Sequence, residues 1–363
     1  MLSKYSNVDG GEALLRNARI LSVGTALPAS VYTQQEVLDG FGNADRRTEL
    51  IFLNNKIERR HLALPPRSEA GLIGEETQAE LLGRHSGVGL EIGERALRAC
   101  LKSGGLELGD VRHLCCVTTT GFLTPGFSSL LIHRLGMRRD CSRLDVVGMG
   151  CNAGVNALNA TTSWAHANPD QLAILICIEV CSAVYVNDGG IENAVVNSLF
   201  GDGAAAIAVR AGPPEDSGPV LCNFSSVVIP EAVQAMRIEW DSGHGRFRFR
   251  LDREVPYVVG SHAQEVVDRL LREASVKRRD VAHWVVHAGG RKVIDAVKAN
   301  LQLTEFDVRH TTSVLRDHGN ISSGSFLFSY SRLLQEGQVR AGDHGVLMAM
   351  GPGSSIETAL VRW

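Results

Sequence analysis

Aromatic residues make up only 6% of the 363 positions. No apolar run approaches the length of about 18 residues that a membrane-spanning helix needs. Neither sign of charge dominates: 37 Lys and Arg stand against 40 Asp and Glu, a formal charge of −3. That balance, spread along the chain, argues against a nucleic-acid surface and against a polybasic membrane anchor. The first residues, Met1 to Asp9, lack the apolar core of a secretory signal. The eight cysteines therefore read as reduced thiols, and the chain as cytoplasmic. Cys177 and Cys181 are four apart, but no second pair and no nearby histidine completes a zinc set, so no metal is expected.

What is present is an alternation of short β-branched strands and amphipathic helices. Strands are expected at Ala18–Val23, His113–Thr118, Leu172–Ile178, Ala204–Val209, His283–His287 and Gly345–Met350. Helices are expected between them, among them Gly93–Ser103 and Glu265–Ala274. Such alternation predicts an α/β architecture. Cys115 and Cys116 are adjacent strand residues and should point to opposite faces.

The chain also repeats itself. Asp-Val-Arg-His-Leu-Cys-Cys-Val from Asp110 matches Asp-Val-Ala-His-Trp-Val-Val-His from Asp280. Cys151 lies 38 positions after His113, and Asn320 lies 37 after His283. Gly201-Asp-Gly-Ala-Ala-Ala resembles Gly351-Pro-Gly-Ser-Ser-Ile. A Pro- and Gly-rich linker, residues 211–219, separates the copies. The expected organisation is one half at 1–212 carrying Cys151 and another at 213–363 carrying His287 and Asn320. Pseudo-twofold symmetry of such halves brings Cys151 opposite Asn320 and His287.

Cys151 sits in Gly-Met-Gly-Cys-Asn-Ala-Gly (residues 148–154), after an apolar run and before a helix-like stretch, Val155–His166. A sulfur at a helix N-terminus is expected to have a lowered pKa, from about 8.5 to roughly 3.5–7.5, and the thiolate is the nucleophile. A thiolate attacks a thioester to give an acyl-enzyme. A neutral imidazole N–H and an Asn amide N–H stabilise charge on a thioester oxygen. Asn is no base at neutral pH, so the set fits decarboxylative Claisen condensation better than hydrolysis. Taken singly, His287 also reads as a strand-end polar residue and Asn320 as a helix N-cap. A rival reading takes glycines 148, 150 and 154 as a dinucleotide fingerprint with Glu179 as its ribose ligand. The third glycine comes one residue late, and Glu179 lies about ten residues too far along.

Together, the segments around Cys151, Phe200 (Leu-Phe-Gly-Asp-Gly-Ala-Ala-Ala), His287 (His-Ala-Gly-Gly), Asn320 (Gly-Asn-Ile-Ser-Ser) and Gly351 resemble the chalcone-synthase-like type III polyketide synthases over almost the whole chain. The resemblance implies a thiolase fold, a duplicated five-layered αβαβα arrangement, a homodimer and a Cys-His-Asn triad. It implies that Phe200 and Phe249, otherwise core aromatics, are gatekeepers between a CoA tunnel and a cavity. The cavity would be lined further by Thr119, Thr120, Thr124, Cys181, Val184 and Ser322. Residues 113–126, 255–263 and 309–330 are similar to the bacterial branch that forms 3,5-dihydroxyphenylacetyl-CoA from malonyl-CoA alone. That likeness implies no cofactor, a place in antibiotic biosynthesis through dihydroxyphenylglycine, and helper enzymes of the enoyl-CoA-hydratase type. Within the family, an alkylresorcinol or pyrone synthase with an acyl-CoA starter is the alternative; a non-catalytic CoA-binding protein of the same fold is another. The plant His-Pro-Gly-Gly motif reads His-Ala-Gly-Gly here. The CoA phosphates call for basic residues at the tunnel mouth. Candidates are Arg46, Arg47, Lys56, Arg59 and Arg60, which also read as a solvated helix face, and Arg291 and Lys292 at an expected helix start.

Overall fold

A computed structural model describes residues 16–42, 45–213 and 216–363; the segment Met1 to Asp9 lies outside them. The first half runs β1 (Ala18–Ala26), β2 (Val31–Thr33), α1 (Gln34–Phe41), α2 (Arg46–Leu53), β3 (Arg59–His61), α3 (Gln78–Gly104), β4 (Val111–Thr118), α4 (Phe127–Leu135), β5 (Ser142–Val147), α5 (Ala153–Ala167), β6 (Leu172–Val180), α6 (Ile191–Leu199) and β7 (Asp202–Ala211). The second runs β8 (Val220–Val228), β9 (Met236–Asp241), β10 (Arg246–Leu251), α7 (Val255–Glu273), β11 (Val281–Val286), α8 (Arg291–Leu301), α9 (Arg309–His318), α10 (Ser325–Glu336), β12 (His344–Gly351) and β13 (Ser355–Arg362).

Nine strands join in the order β11-β12-β13-β8-β1-β7-β6-β4-β5. The order reads alike outward from its centre. β1, β7, β6 and β4 on one side correspond to β8, β13, β12 and β11 on the other. Pairing directions correspond as well: β4–β6 and β11–β12 are parallel, and β6–β7 and β12–β13 antiparallel. Within this sheet the halves meet where β1 pairs with β8, Arg19 opposite Val220. The matched segments fall on equivalent elements, β4 with β11 and β7 with β13.

Three apolar clusters show the layering. One packs α3 (Ile92, Leu97) on β6 (Ile176), and another packs α7 and α8 (Val266, Val297) on β11 and β12. The third lies between the halves and joins α5 and α10 to strands of both. The result is helix, sheet, helix, sheet, helix. On β4, Cys115 belongs to the central cluster and Cys116 to an outer one, the alternation expected of a strand. β6 is buried at every position, as parallel strands covered on both faces are.

Several elements outrun their sequence signals. α3 begins at Gln78 rather than Gly93, because Thr77 and Glu80 form a capping box ahead of the periodic stretch. β6 continues two residues to Val180 and carries Glu179 into the core. No helix of the described residues is long and apolar enough to cross a membrane.

Candidate active site

Cys151 sits in a single helical turn, Gly150–Asn152, that feeds α5. Gly150 has φ +78°, and a Cβ there would come within 2.2 Å of the Pro352 ring. At Gly351 a Cβ would come within 2.9 Å of the Cys151 backbone nitrogen. Bare backbone at both places lets the end of β12 press on the cysteine turn. His287 lies just past β11, and its N–H donates to Met348 O of β12 at 2.8 Å. This register brings His287 to the same end of the sheet as Cys151.

Asn320 follows α9 and is tied to the segment after α6. Its N–H donates to Leu199 O, and its carbonyl accepts from Gly201 N–H, both at 2.9 Å. Its side-chain Oδ1 accepts from Ser322 N–H at 2.8 Å and Ser325 Oγ–H at 3.4 Å. With the oxygen engaged, the Nδ2 end is left to donate. Cys151 Sγ and Ser322 Oγ are 3.3 Å apart.

Electrostatics correct one sequence expectation. The helix-entry position of Cys151 is present, yet burial pushes the thiol up to about 12, and hydrogen bonding from Ser322 is the largest of the influences that pull it back. A helix terminus lowers a thiol pKa where water or a cation shares the charge; here desolvation is the larger influence. Burial pushes the His287 imidazole down to about 3, so it is neutral near pH 7. A neutral imidazole carries one N–H and one lone pair. Such a ring can take up a proton at one nitrogen, and its N–H, like an Asn amide, is the kind of donor that stabilises an oxyanion.

Cys151 opens into a cavity of about 360 Å³, in whose wall stand Thr119, Thr120, Cys181, Val184, Phe200, Phe249 and Ser322. Phe200 and Phe249 meet edge to face, ring centroids 5.6 Å apart. His287 and Asn320, each 2% exposed, do not line it. Thr124 does not belong to the wall either: it is exposed, on the loop ahead of α4. Sequence reasoning missed a stretch of wall from Val233 to Ile238, ending in β9. The alternation Arg-Phe-Arg-Phe-Arg-Leu of β10, paired with β9, was its available signal.

It also missed a role for Glu179. This carboxyl is fully buried, and Oε2 accepts from Thr119 N–H and Thr119 Oγ1 at 3.0 Å and from Thr120 Oγ1 at 3.2 Å. Ser323 Oγ donates to Oε1. Burial pushes the group up to about 7 despite these donors. Thr119 Oγ1 lies 2.8 Å from Ser322 Oγ, so hydrogen bonds run unbroken from Glu179 to the sulfur. A carboxylate in the otherwise apolar strand Leu172–Val180 was the clue. Its burial removes it from any role as an exposed ribose ligand.

The basic candidates are scattered. Arg46, Arg47, Lys56, Arg59, Arg291 and Lys292 are exposed and do not line the cavity. Arg46 pairs with Glu49 at 2.6 Å, Arg59 with Asp317 at 3.5 Å and Arg291 with Asp295 at 3.6 Å. Arg60 must be withdrawn as a phosphate contact: it is 0% exposed and both of its Nη groups donate to internal acceptors. Among the described residues, the charged side chain in the wall is Arg237. Among them also, no three His, Cys, Asp or Glu gather in a metal-binding group.

The chain is similar to known proteins. An enzyme of Streptomyces toyocaensis, 3,5-dihydroxyphenylacetyl-CoA synthase, is 59% identical over 95% of this chain and 90% of its own length. The enzyme of the same name from Amycolatopsis balhimycina is 55% identical over 95% of this chain and 93% of its own. Among solved structures, the C-terminal type III polyketide synthase domain of Steely1 from Dictyostelium superposes with a TM-score of 0.88, at 26% identity, over 95% of this chain and 99% of that one. The shared fold is the thiolase fold of type III polyketide synthases. Residues 68–213 match the N-terminal domain of chalcone and stilbene synthases and residues 225–363 the C-terminal domain, and the chain belongs to that family.

Proposed function

We propose that this chain is a 3,5-dihydroxyphenylacetyl-CoA synthase, turning four malonyl-CoA into one product thioester, three CoA, four CO₂ and one water. The observation that carries this reading is the 59% identity, across 95% of the chain, to an enzyme of that name. The site chemistry agrees with it. Cys151 Sγ attacks a thioester carbon, its proton passes to His287, and the departing CoA sulfur takes that proton up. One malonyl unit loses CO₂ to become the acetyl starter. Each extender then loses CO₂, and the electrons of the broken C–C bond leave an enolate. Its oxygen is met by the His287 N–H and the Asn320 amide. The enolate carbon attacks the acyl carbon on Cys151, and the C–S bond breaks to free the cysteine sulfur. The lengthened chain, now on the extender's CoA, returns to Cys151 with loss of that CoA before the next round.

After three extensions, the terminal methyl carbon C8 attacks the C3 carbonyl. Water leaves, the C5 and C7 carbonyls enolise to hydroxyls, and C1 stays a thioester. The hydroxyls of Thr119, Thr120 and Ser322 suit a chain of carbonyls, while Phe200 and Phe249 keep water from it. A cavity of about 360 Å³ is near the lower end of the roughly 300–1,000 Å³ that ligand sites span. That favours a short tetraketide over a long-chain starter. Arg237 would meet the anionic part of the incoming thioester. Helper enzymes of the enoyl-CoA-hydratase type would act after chain growth.

Mass analysis of the products decides the reading. Purified enzyme with malonyl-CoA alone should release CoA and CO₂ and form the eight-carbon aromatic thioester. A strong preference for a competing long-chain acyl-CoA, with resorcinols or pyrones as products, would move the chain to the alternative within its family. No CoA release would make it a non-catalytic binder.

The working unit in this proposal is a twofold homodimer. β5 ends the sheet with Leu144 39% and Val147 40% exposed, and Phe122 in the cavity wall is 57% exposed. An open strand edge beside apolar side chains is a pairing surface. Sedimentation should show a dimer at micromolar concentration; a monomer there would refute it.

A further inference from the structure

We infer that Arg60, with Tyr185, is a positioning residue that holds the Phe200 wall and the Asn320 amide in a fixed relation to each other. The consequences for catalysis rest on the function proposed above; the clamp itself rests on geometry. Arg60 stands on β3 and is 0% exposed. Its Nη1 donates to the Phe200 carbonyl and to Tyr185 Oη, both at 2.8 Å, and to the Asn197 carbonyl; Nη2 donates to Gln34 Oε1. The Tyr185 hydroxyl in turn donates to the Phe200 carbonyl. Gln34 Nε2 and Asn55 Nδ2 both donate to the Ser198 carbonyl at 2.8 Å. These are the terminal carbonyls of α6, which a helix leaves unpaired and where a cation is favoured.

The clamp reaches the catalytic amide by two routes. Leu199 and Gly201, either side of Phe200, hydrogen-bond the Asn320 backbone. The Arg60 stem also lies beneath Gly319, where a Cβ would approach Arg60 Cδ to 2.9 Å. A side chain on one strand therefore touches both the gatekeeper carbonyl and the turn that presents Asn320. Burying a guanidinium is costly. Capping a short helix alone does not require one. The rigid five-donor fork is suited to holding several acceptors from different elements at fixed angles. Arg60 does not line the cavity, so it acts through Phe200 and Asn320.

The decisive variant is Tyr185→Phe, which removes one hydroxyl from the Phe200 carbonyl and keeps the ring. Arg60→Lys keeps the charge and loses the fork. Two readouts separate positioning from bulk stability. Alkylation of Cys151 by iodoacetamide, located by peptide mapping, assumes nothing about substrate. It should quicken about 2- to 10-fold, the span of one lost hydrogen bond, as the wall loosens. With malonyl-CoA, decarboxylation should slow by a similar factor and products should shift to shortened chains. Both changes should appear at temperatures where circular dichroism shows the variant folded. Should Arg60→Lys fail to fold, Tyr185→Phe still decides. A folded Tyr185→Phe with wild-type alkylation overturns the clamp, and wild-type decarboxylation with wild-type product lengths overturns its catalytic role. Wild-type enzyme that releases no CoA from malonyl-CoA would sink the proposed function instead, and the alkylation comparison would still judge the clamp.

Discussion

Cys151→Ala should leave a folded protein that forms no polyketide, with turnover reduced by at least about 10⁴-fold, the scale on which a covalent nucleophile is missed. Cys151 belongs to the central core cluster, and its sulfur opens on the cavity. Removing that one atom leaves the turn intact, because the close contacts at Gly150 and Gly351 involve backbone and Pro352 rather than the thiol. A second thiol makes the experiment discriminating. Cys181 lines the same cavity, and burial holds it well above the usual thiol range, with the Glu179 charge acting the same way. Cys181 has no hydroxyl partner to match the Ser322 contact of Cys151. Labelled malonyl-CoA followed by peptide mapping should therefore mark Cys151 and leave Cys181 unmarked. Label on Cys181, or label retained by the Cys151→Ala protein, would reassign the nucleophile.

The way the sequence encodes this site explains which parts were legible. Cys151 and Asn320 stand out in the sequence because each lies in a glycine-bearing turn at matching places of two repeats, and His287 because it ends an expected strand ahead of Ala-Gly-Gly. The repeats follow from strand order, which β-branched runs announce. Arg60 was misread because adjacent Arg59 and Arg60 look alike in a basic run. Yet a strand sends neighbours to opposite faces, and β3 turns Arg59 to solvent and Arg60 into the core. Thr124 was misplaced for a related reason. It shares a segment with Thr119 and Thr120, but the chain has left the cavity by the time it reaches Pro125. The thiol pKa was misjudged because a helix terminus is visible in sequence and depth of burial is not. Arg237 reaches the wall through a hairpin whose position depends on long-range packing.

Asn320→Ala should slow malonyl-CoA decarboxylation by about 10²–10³-fold, the usual loss for one oxyanion donor, while the chain stays folded. The backbone of Asn320 carries its structural ties, to Leu199 and Gly201, and alanine keeps both. What alanine removes is the side-chain amide. Its oxygen end accepts from Ser322 N–H, so the substitution also leaves that donor unpaired, at about 1 kcal/mol. In the proposed mechanism its nitrogen end supplies one of two donors for the enolate oxygen. In the same mechanism His287, kept neutral by burial, supplies the other, so activity should fall rather than vanish. Asn320→Asp should be worse than Ala, since a carboxylate there repels the enolate and is itself desolvated. The measurement is CO₂ release from malonyl-CoA, made in the Cys151→Ala background so that acyl transfer and chain growth do not contribute. The same fall in both backgrounds assigns Asn320 to the decarboxylation step. A folded Asn320→Ala protein that releases CO₂ at nearly the wild-type rate would contradict that role and leave His287 as the sole oxyanion donor.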